Sequence, residues 1–294
     1  MLTLDKVFDA SNVLKEVIRP TACIHAPKVN PDCDVYLKTE NLQVTGSFKV
    51  RGAYYKISQL SDEEKSHGVI ACSAGNHAQG VAYAAKIYGV PATIVMPTTT
   101  PLIKVNRTKS YGAEVVLYGN VYDEACQYAL KLAKEKGLTF VHPFNDETVA
   151  TGQGTIAMEI FKELPIVDII LVPIGGGGLA AGVSTLAKLL NPNIKVIGVE
   201  PAGASCMKAS LEKGEVVTLP EVNTIADGTA VKTPGDIVFP YIQKNIDDII
   251  QIEDQELIVN FLDIMENHKM LVENSGLLTV AALKHLDCKN KKVV

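Results

Sequence analysis

The stretch TGSFKVRGA, residues 45–53, sets a lysine where its charge is unwelcome. Ser47 reads as a helix N-cap, and Phe48, Val50, Ala53, Tyr54 and Ile57 follow at amphipathic spacing. Lys49 and Arg51 then fall in the first turn, where the helix dipole disfavours cations by ~0.3–1 kcal/mol each. A solvated lysine on a surface helix is one explanation, because tertiary context overrides so small a penalty. Chemistry is the other. A desolvated lysine loses basicity and becomes a nucleophile that condenses with carbonyls.

Two further stretches bear on that choice. In DIILVPIGGGGLAAG, from Asp168, an apolar strand ends at Ile174. Gly175, Gly176, Gly177 and Gly178 stand directly before the small-residue helix that Leu179 opens. Consecutive glycines let the backbone turn sharply and aim its N–H groups at an anion, and the helix start adds its positive end. No GK[ST] follows, and the GxGxxG pattern with a later acidic residue is missing, so a single phosphate held by backbone is the expectation. VIACSAGNHAQGVAYAA, from Val69, has the same build. The loop Ser73, Ala74, Gly75, Asn76 and His77 runs from a strand end into a helix, and this second helix start suits a substrate carboxylate. Asn76 offers both donor and acceptor. His77 by itself says little, since a lone histidine beside a helix start is more often structural than catalytic. A lysine, a phosphate cradle and a carboxylate cradle at the C-terminal ends of strands are the contacts that pyridoxal 5′-phosphate chemistry requires.

The elements that must position these residues are legible as alternation. Apolar strands are expected from Val35, Val69, Ala92, Ala113, Leu138, Asp168, Lys195 and Asp248, with helical spacing between most of them and Gly or Pro at the borders. That order means a mostly parallel sheet with helices on both faces. KNKKVV at 289–294 reads as the beginning of another strand, so further sequence beyond it is an open expectation. A net charge of -5 leaves no footprint for nucleic acid or an anionic membrane. Six cysteines without a CxxC pair fit neither a zinc site nor a disulfide framework, and read as reduced thiols. Nothing resembles a signal peptide or a membrane span, so the expected location is the cytoplasm.

TGSFKVRGA, SAGNHAQGVA, IGGGGLAAG, TIADGTAVKTPGD and ENSGL, in this order, resemble the fold-type II pyridoxal-phosphate enzymes, the tryptophan synthase β-like fold. Among these the chain is most similar to the threonine dehydratases (threonine ammonia-lyases), with the serine racemases as near kin. The motifs span residues 45–277. The resemblance implies two open twisted sheets flanked by helices, with the cofactor between a large domain (1–57 plus 142–294) and a small one (58–141). It implies that Lys49 carries the cofactor and removes the α-proton, and that Phe48 packs on the ring. Asn76 would bond the phenolic oxygen. Gly175, Gly176, Gly177, Gly178 and Leu179 would bind the phosphate. Ser275 would face the pyridine nitrogen, and Ser73, Ala74, Gly75, Asn76 and His77 would surround the substrate carboxylate. Asn145, in HPFND, would border the pocket. A neutral hydroxyl at the pyridine nitrogen leaves the ring a weaker electron sink, which favours expulsion of a β-substituent. The implied reaction is dehydration and deamination of L-threonine to 2-oxobutanoate, with L-serine giving pyruvate.

Departures separate the relatives. Racemases carry a serine where Ala74 stands, and alanine transfers no proton. Their divalent-ion pattern is matched by Glu200 and Ala204, but Cys206 replaces its aspartate, which weakens an oxygen-rich site and leaves a monovalent cation as the expectation. A strand-end surface carboxylate is the plain alternative for Glu200. An AMP-type effector would sit near Thr45 and Gln79 by resemblance, in a catabolic enzyme; a biosynthetic one would carry a further regulatory domain. Dimers or tetramers are expected. The rivals are a β-replacement synthase built on the same cofactor, and a binding protein that keeps the fold without the chemistry, against which Lys49 argues.

Overall fold

The computed structural model describes all 294 residues. Ten strands form in chain order: β1 Cys23–His25, β2 Asp34–Lys38, β3 Val69–Cys72, β4 Ala92–Met96, β5 Glu114–Leu117, β6 Thr139–Phe140, β7 Ile169–Pro173, β8 Lys195–Pro201, β9 Asp248–Ile252 and β10 Lys292–Val293. Every strand expected from the sequence is present, and KNKKVV does contain one, β10. The additional strand, β1, is a three-residue edge piece. It pairs antiparallel with β2, Cys23 opposite Lys38, and all other pairings are parallel.

The strands make two sheets. One has six strands in the order β1-β2-β10-β7-β8-β9, and the other has four in the order β5-β4-β3-β6. In the larger sheet β7 and β8 pair in register from Ile169 opposite Lys195 to Pro173 opposite Val199. Parallel strands are covered on both faces, which is why β3 (VIAC) is buried at every position and needs no alternation. On one face of the six-stranded sheet the helices Glu147–Glu163 and Gly178–Leu190 bury Ile160, Ala180 and Leu186 against Ile170 and Val172. On the other, the helices Asp254–His268 and Asn274–Ala282 bury Leu257, Leu277 and Ala281 against Ile169 and Ile197. The four-stranded sheet is covered by the helices Lys49–Ser58 and Asn76–Tyr88 on one face and Tyr122–Lys136 on the other. This is the α/β architecture with two mostly parallel sheets that the motif order implied. No helix is long and apolar enough to cross a membrane, and all six cysteines are free thiols.

Candidate active site

The helix that carries Lys49 begins at that residue, Lys49–Ser58, and buries Val50, Ala53, Tyr54 and Ile57 as its spacing requires. Ser47 is not its cap. Phe48 already has helical angles, φ -62 and ψ -16, and the Ser47 hydroxyl is buried without a hydrogen-bond partner. The local pattern was right about the helix and wrong about its start, because the turn through Gly46 (φ +77) brings the chain in one residue later. Arg51 is the other cation of the first turn. It is fully buried, with its guanidinium bonded to Glu40, Glu159 and Thr155.

Lys49 lies at the wall of a cleft of about 1650 Å³. Its Nζ donates to the Pro143 carbonyl at 2.8 Å and sits 5.4 Å from the centre of the Phe48 ring. One side of the residue opens to the cleft, yet the walls strip enough water that burial lowers its pKa to about 8, a fall that the charge of Glu273 opposes. The helix Asn76–Tyr88 rests directly on it. A Cβ on Gly80 would lie 3.0 Å from the Lys49 carbonyl carbon, so only glycine allows this approach without displacing the lysine backbone.

The glycine turn reaches the same cleft. Gly175, Gly176, Gly177, Gly178 and Leu179 all line it. Gly177 has φ +103, in the region that only glycine enters freely. No backbone N–H from Gly175 through Leu179 donates to a protein acceptor. A row of donors at a helix start with no protein partner is what a phosphate would satisfy. The orphaned side-chain atoms point the same way. Five buried polar side-chain atoms lack a partner, and three of them (Ser47 Oγ, His77 Nδ1 and Gln79 Oε1) belong to residues of this cleft. Buried polar groups without partners are rare, so their clustering here marks a site for a polar ligand. The chain therefore fits a phosphorylated aldehyde with an amino-acid substrate. The volume exceeds what those two need because the cleft continues between β2 and β7, past Val35, Leu37 and Leu171, beside the two-residue β10.

The turn also explains a cost of substitution. A Cβ on Gly178 would lie 2.8 Å from both the Cα and the carbonyl oxygen of Phe144, backbone atoms that cannot swing aside. Gly178→Ala is expected to lower the stability of the cofactor-free protein by ~1–3 kcal/mol, the usual cost of overpacking. Gly75→Ala, whose Cβ meets nothing within 4 Å, is the control and stays within ~0.5 kcal/mol in the same denaturant titration.

The second loop stands opposite. Ser73, Ala74, Gly75, Asn76 and His77 line the cleft at the end of β3. Ser73 Oγ accepts from the Gly75 N–H at 3.2 Å. The His77 ring is buried and its Nε2 bonds the Val141 carbonyl at 2.8 Å. Burial, then the nearby Lys49 charge, push its pKa down to about 3, so it is neutral and structural. His142 is likewise pushed down to about 4, first by burial, and its Nδ1 accepts the N–H groups of Phe144 and Asn145.

Ser275 is buried at the head of the helix Asn274–Ala282, its Oγ 3.3 Å from Thr229 Oγ1. Phe48 lines the cleft. Asn145 does not. Its amide donates to Asp236 at 2.7 Å and its oxygen accepts the Ile237 N–H, so it ties down the 236–237 turn. Glu200 is no surface carboxylate, since it is completely buried on β8 and accepts the N–H groups of Met207 and Lys208 at 2.8 and 2.9 Å. Burial pushes its pKa up to about 7. Ala204 is buried as well, and no group of three or more potential metal-ligating side chains occurs anywhere in the chain. Thr45 is buried and Gln79 lines the cleft itself. Sequence reasoning assigned no role to Pro143, Thr229 or Glu273, although TIADGTAVKTPGD and ENSGL contain two of them.

The comparisons with known proteins agree with this arrangement. The model of the family described as pyridoxal-phosphate dependent enzyme matches residues 14–294. The L-threonine ammonia-lyase of Thermotoga maritima is 48% identical over 296 residues, covering 100% of this chain and 74% of that protein. The processed form of threonine deaminase isoform 2 from Solanum lycopersicum superposes with a TM-score of 0.94 at 39% identity, covering 99% of this chain and 84% of that one. Maize serine racemase gives a TM-score of 0.94 at 33% identity, covering 99% and 91%. A lysine, a glycine turn with free N–H donors and a polar helix start around one cleft thus coincide with a family match over nearly the whole length, and the chain belongs to the pyridoxal-phosphate dependent enzymes.

Proposed function

We propose that the chain is a threonine ammonia-lyase that converts L-threonine to 2-oxobutanoate and ammonia, and L-serine to pyruvate. The observation that carries this reading is the meeting of Lys49, the Gly175–Leu179 donors and the Ser73–His77 loop at one cleft. When bound, the cofactor would supply an aldehyde for the substrate amino group and a π-system for the Cα–H electron pair. Lys49 holds that aldehyde and, when free, accepts the Cα proton. Its lowered basicity, from burial, keeps a usable share of neutral amine near pH 8. The N–H groups of Gly175, Gly176, Gly177, Gly178 and Leu179 would hold the phosphate, with Phe48 lining the same cleft. Ser275 offers the pyridine nitrogen a neutral hydroxyl, which favours loss of the β-substituent over other fates of Cα. Ser73, Gly75, Asn76 and His77 would hold the substrate carboxylate at the start of the helix Asn76–Tyr88, Asn76 and His77 through their backbone N–H groups. Across the reaction the Cα–H and Cβ–O bonds break and water leaves; the enamine product takes back one water and releases ammonia.

Ala74 has no proton to give to the opposite face of Cα, which argues against racemisation despite the likeness to maize serine racemase. We place the residues 58–141 with the four-stranded sheet as the small domain and the rest as the large one, in a homodimer or homotetramer. The deciding assay measures keto acid released from threonine, with and without an added thiol, alongside D-serine formed from L-serine. Release from threonine that the thiol does not divert is expected. Diversion would make the chain a β-replacement synthase, and D-serine as the main product would make it a racemase. Repeating the assay with AMP and with K⁺ tests the effector and a monovalent cation near Glu200 and Ala204.

A further inference from the structure

We infer that Glu273 is a positioning residue that holds Asn76, and with it the Ser73–His77 loop, in place across the cleft. The inference rests on the reading of Asn76 as a cofactor and substrate contact. Asn76 heads the helix Asn76–Tyr88, which covers the four-stranded sheet, whereas Glu273 precedes the helix Asn274–Ala282, which covers the six-stranded one. The Asn76 amide donates to both Glu273 carboxylate oxygens, at 2.8 and 3.0 Å. Hydrogen bonds to a charged acceptor are stronger than neutral ones. A planar amide pinned through its NH2 group has its carbonyl oxygen fixed in direction as well, so this contact decides what Asn76 presents to a ligand. Both residues line the cleft, and Glu273 stands two positions before Ser275.

A second consequence falls on Lys49. The ionisable groups around it are Glu273, His77 and His142. The two histidines are neutral at working pH, because burial pushes them down to about 3 and about 4. Glu273 is therefore the one side chain whose charge opposes the desolvation of the Lys49 amine. A single carboxylate thus holds one loop and partly offsets the loss of basicity that burial imposes on the lysine facing it.

The test compares Glu273→Gln and Glu273→Ala with the parent in three measurements: cofactor affinity, the pH dependence of cofactor uptake by the cofactor-free protein, and the separate KM and kcat for threonine. The alanine variant is expected to bind cofactor about tenfold more weakly or to raise KM by that factor, as loss of a charge-assisted hydrogen bond does. Its uptake half-point moves to lower pH. Glutamine still accepts one bond from Asn76, so it recovers much of the affinity while keeping the shifted half-point. A merely structural role would lower the melting temperature and leave KM and the half-point alone, and that result overturns the inference. So would variants that match the parent throughout. If alanine prevents folding, the half-point of the glutamine variant decides. A parent that takes up no pyridoxal phosphate defeats the underlying reading as well, and is seen before any variant is made.

Discussion

Lys49→Ala is expected to abolish keto-acid release from threonine, with a loss of more than about a thousandfold, and to remove the absorbance near the visible edge that the cofactor-loaded parent shows. The size follows from the two tasks combined in one amine. A positioned base contributes typically ~10²–10⁴-fold, and loss of the covalent anchor removes the cofactor's fixed orientation as well. Lys49→Arg separates charge from nucleophilicity, because guanidinium keeps the cation yet neither condenses nor deprotonates. It should be as inactive as alanine. Retained activity in the arginine variant would mean that the residue acts only as a charge, and the proposed chemistry would be wrong. The parent adds a pH signature. Burial holds the amine at about 8 instead of the ordinary 10.5, so cofactor uptake by the cofactor-free protein should rise with pH and reach half its maximum near 8. A half-point above 10 would mean that the amine is solvated.

The parts of this site that could be read from the chain are the parts built by local backbone. Four glycines after IILVPI, or SAGNH after VIAC, specify strand, turn and helix start within fifteen residues, and the structure has both. The strands were legible because sheets covered on both faces demand unbroken apolar runs. β1 escaped because CIH has no period to detect and is ordered by its pairing with β2. The roles of Arg51 and Glu273 escaped for a different reason. Helix-dipole rules treat Arg51 only as a disfavoured first-turn cation, but its partners Glu40 and Glu159 lie 11 and 108 positions away. Glu273 meets Asn76 across 197 positions. Charge pairing at such separation leaves no trace in local pattern, and the same holds for Asn145, whose partner Asp236 draws it away from the cleft.

Arg51→Met should produce the largest loss of stability, ~3–5 kcal/mol at neutral pH, the cost of leaving buried opposite charges without their partner. The guanidinium is fully buried and completely bonded. Nε and Nη2 reach Glu40 at 2.8 Å, Nη1 and Nη2 reach Glu159 at 2.7 and 2.8 Å, and Nη1 also meets Thr155. Lys38 adds a bond to Glu159 at 2.6 Å, so two cations face two carboxylates and the cluster is neutral. Without Arg51, Lys38 is left against two carboxylates. Methionine fills most of the volume, so the loss reports charge and hydrogen bonding more than a cavity. The pH dependence identifies the cause. Burial alone would raise the Glu159 carboxyl, but hydrogen bonding and charge from Arg51, then Lys38, bring it below its ordinary 4.5. A carboxyl lowered in the folded state contributes stability above its unfolded pKa and loses it as pH falls through the folded value. The gap between parent and variant in chemical denaturation should therefore be widest near neutrality and narrow below about pH 4.5, as Glu159 takes up a proton. Arg51→Lys should fall between the two, since ammonium restores one charge but not the fork that bonds both carboxylates at once. A gap that stays constant with pH would assign the loss to packing, and the buried network would then have no electrostatic part in holding the Lys49 helix against the cleft.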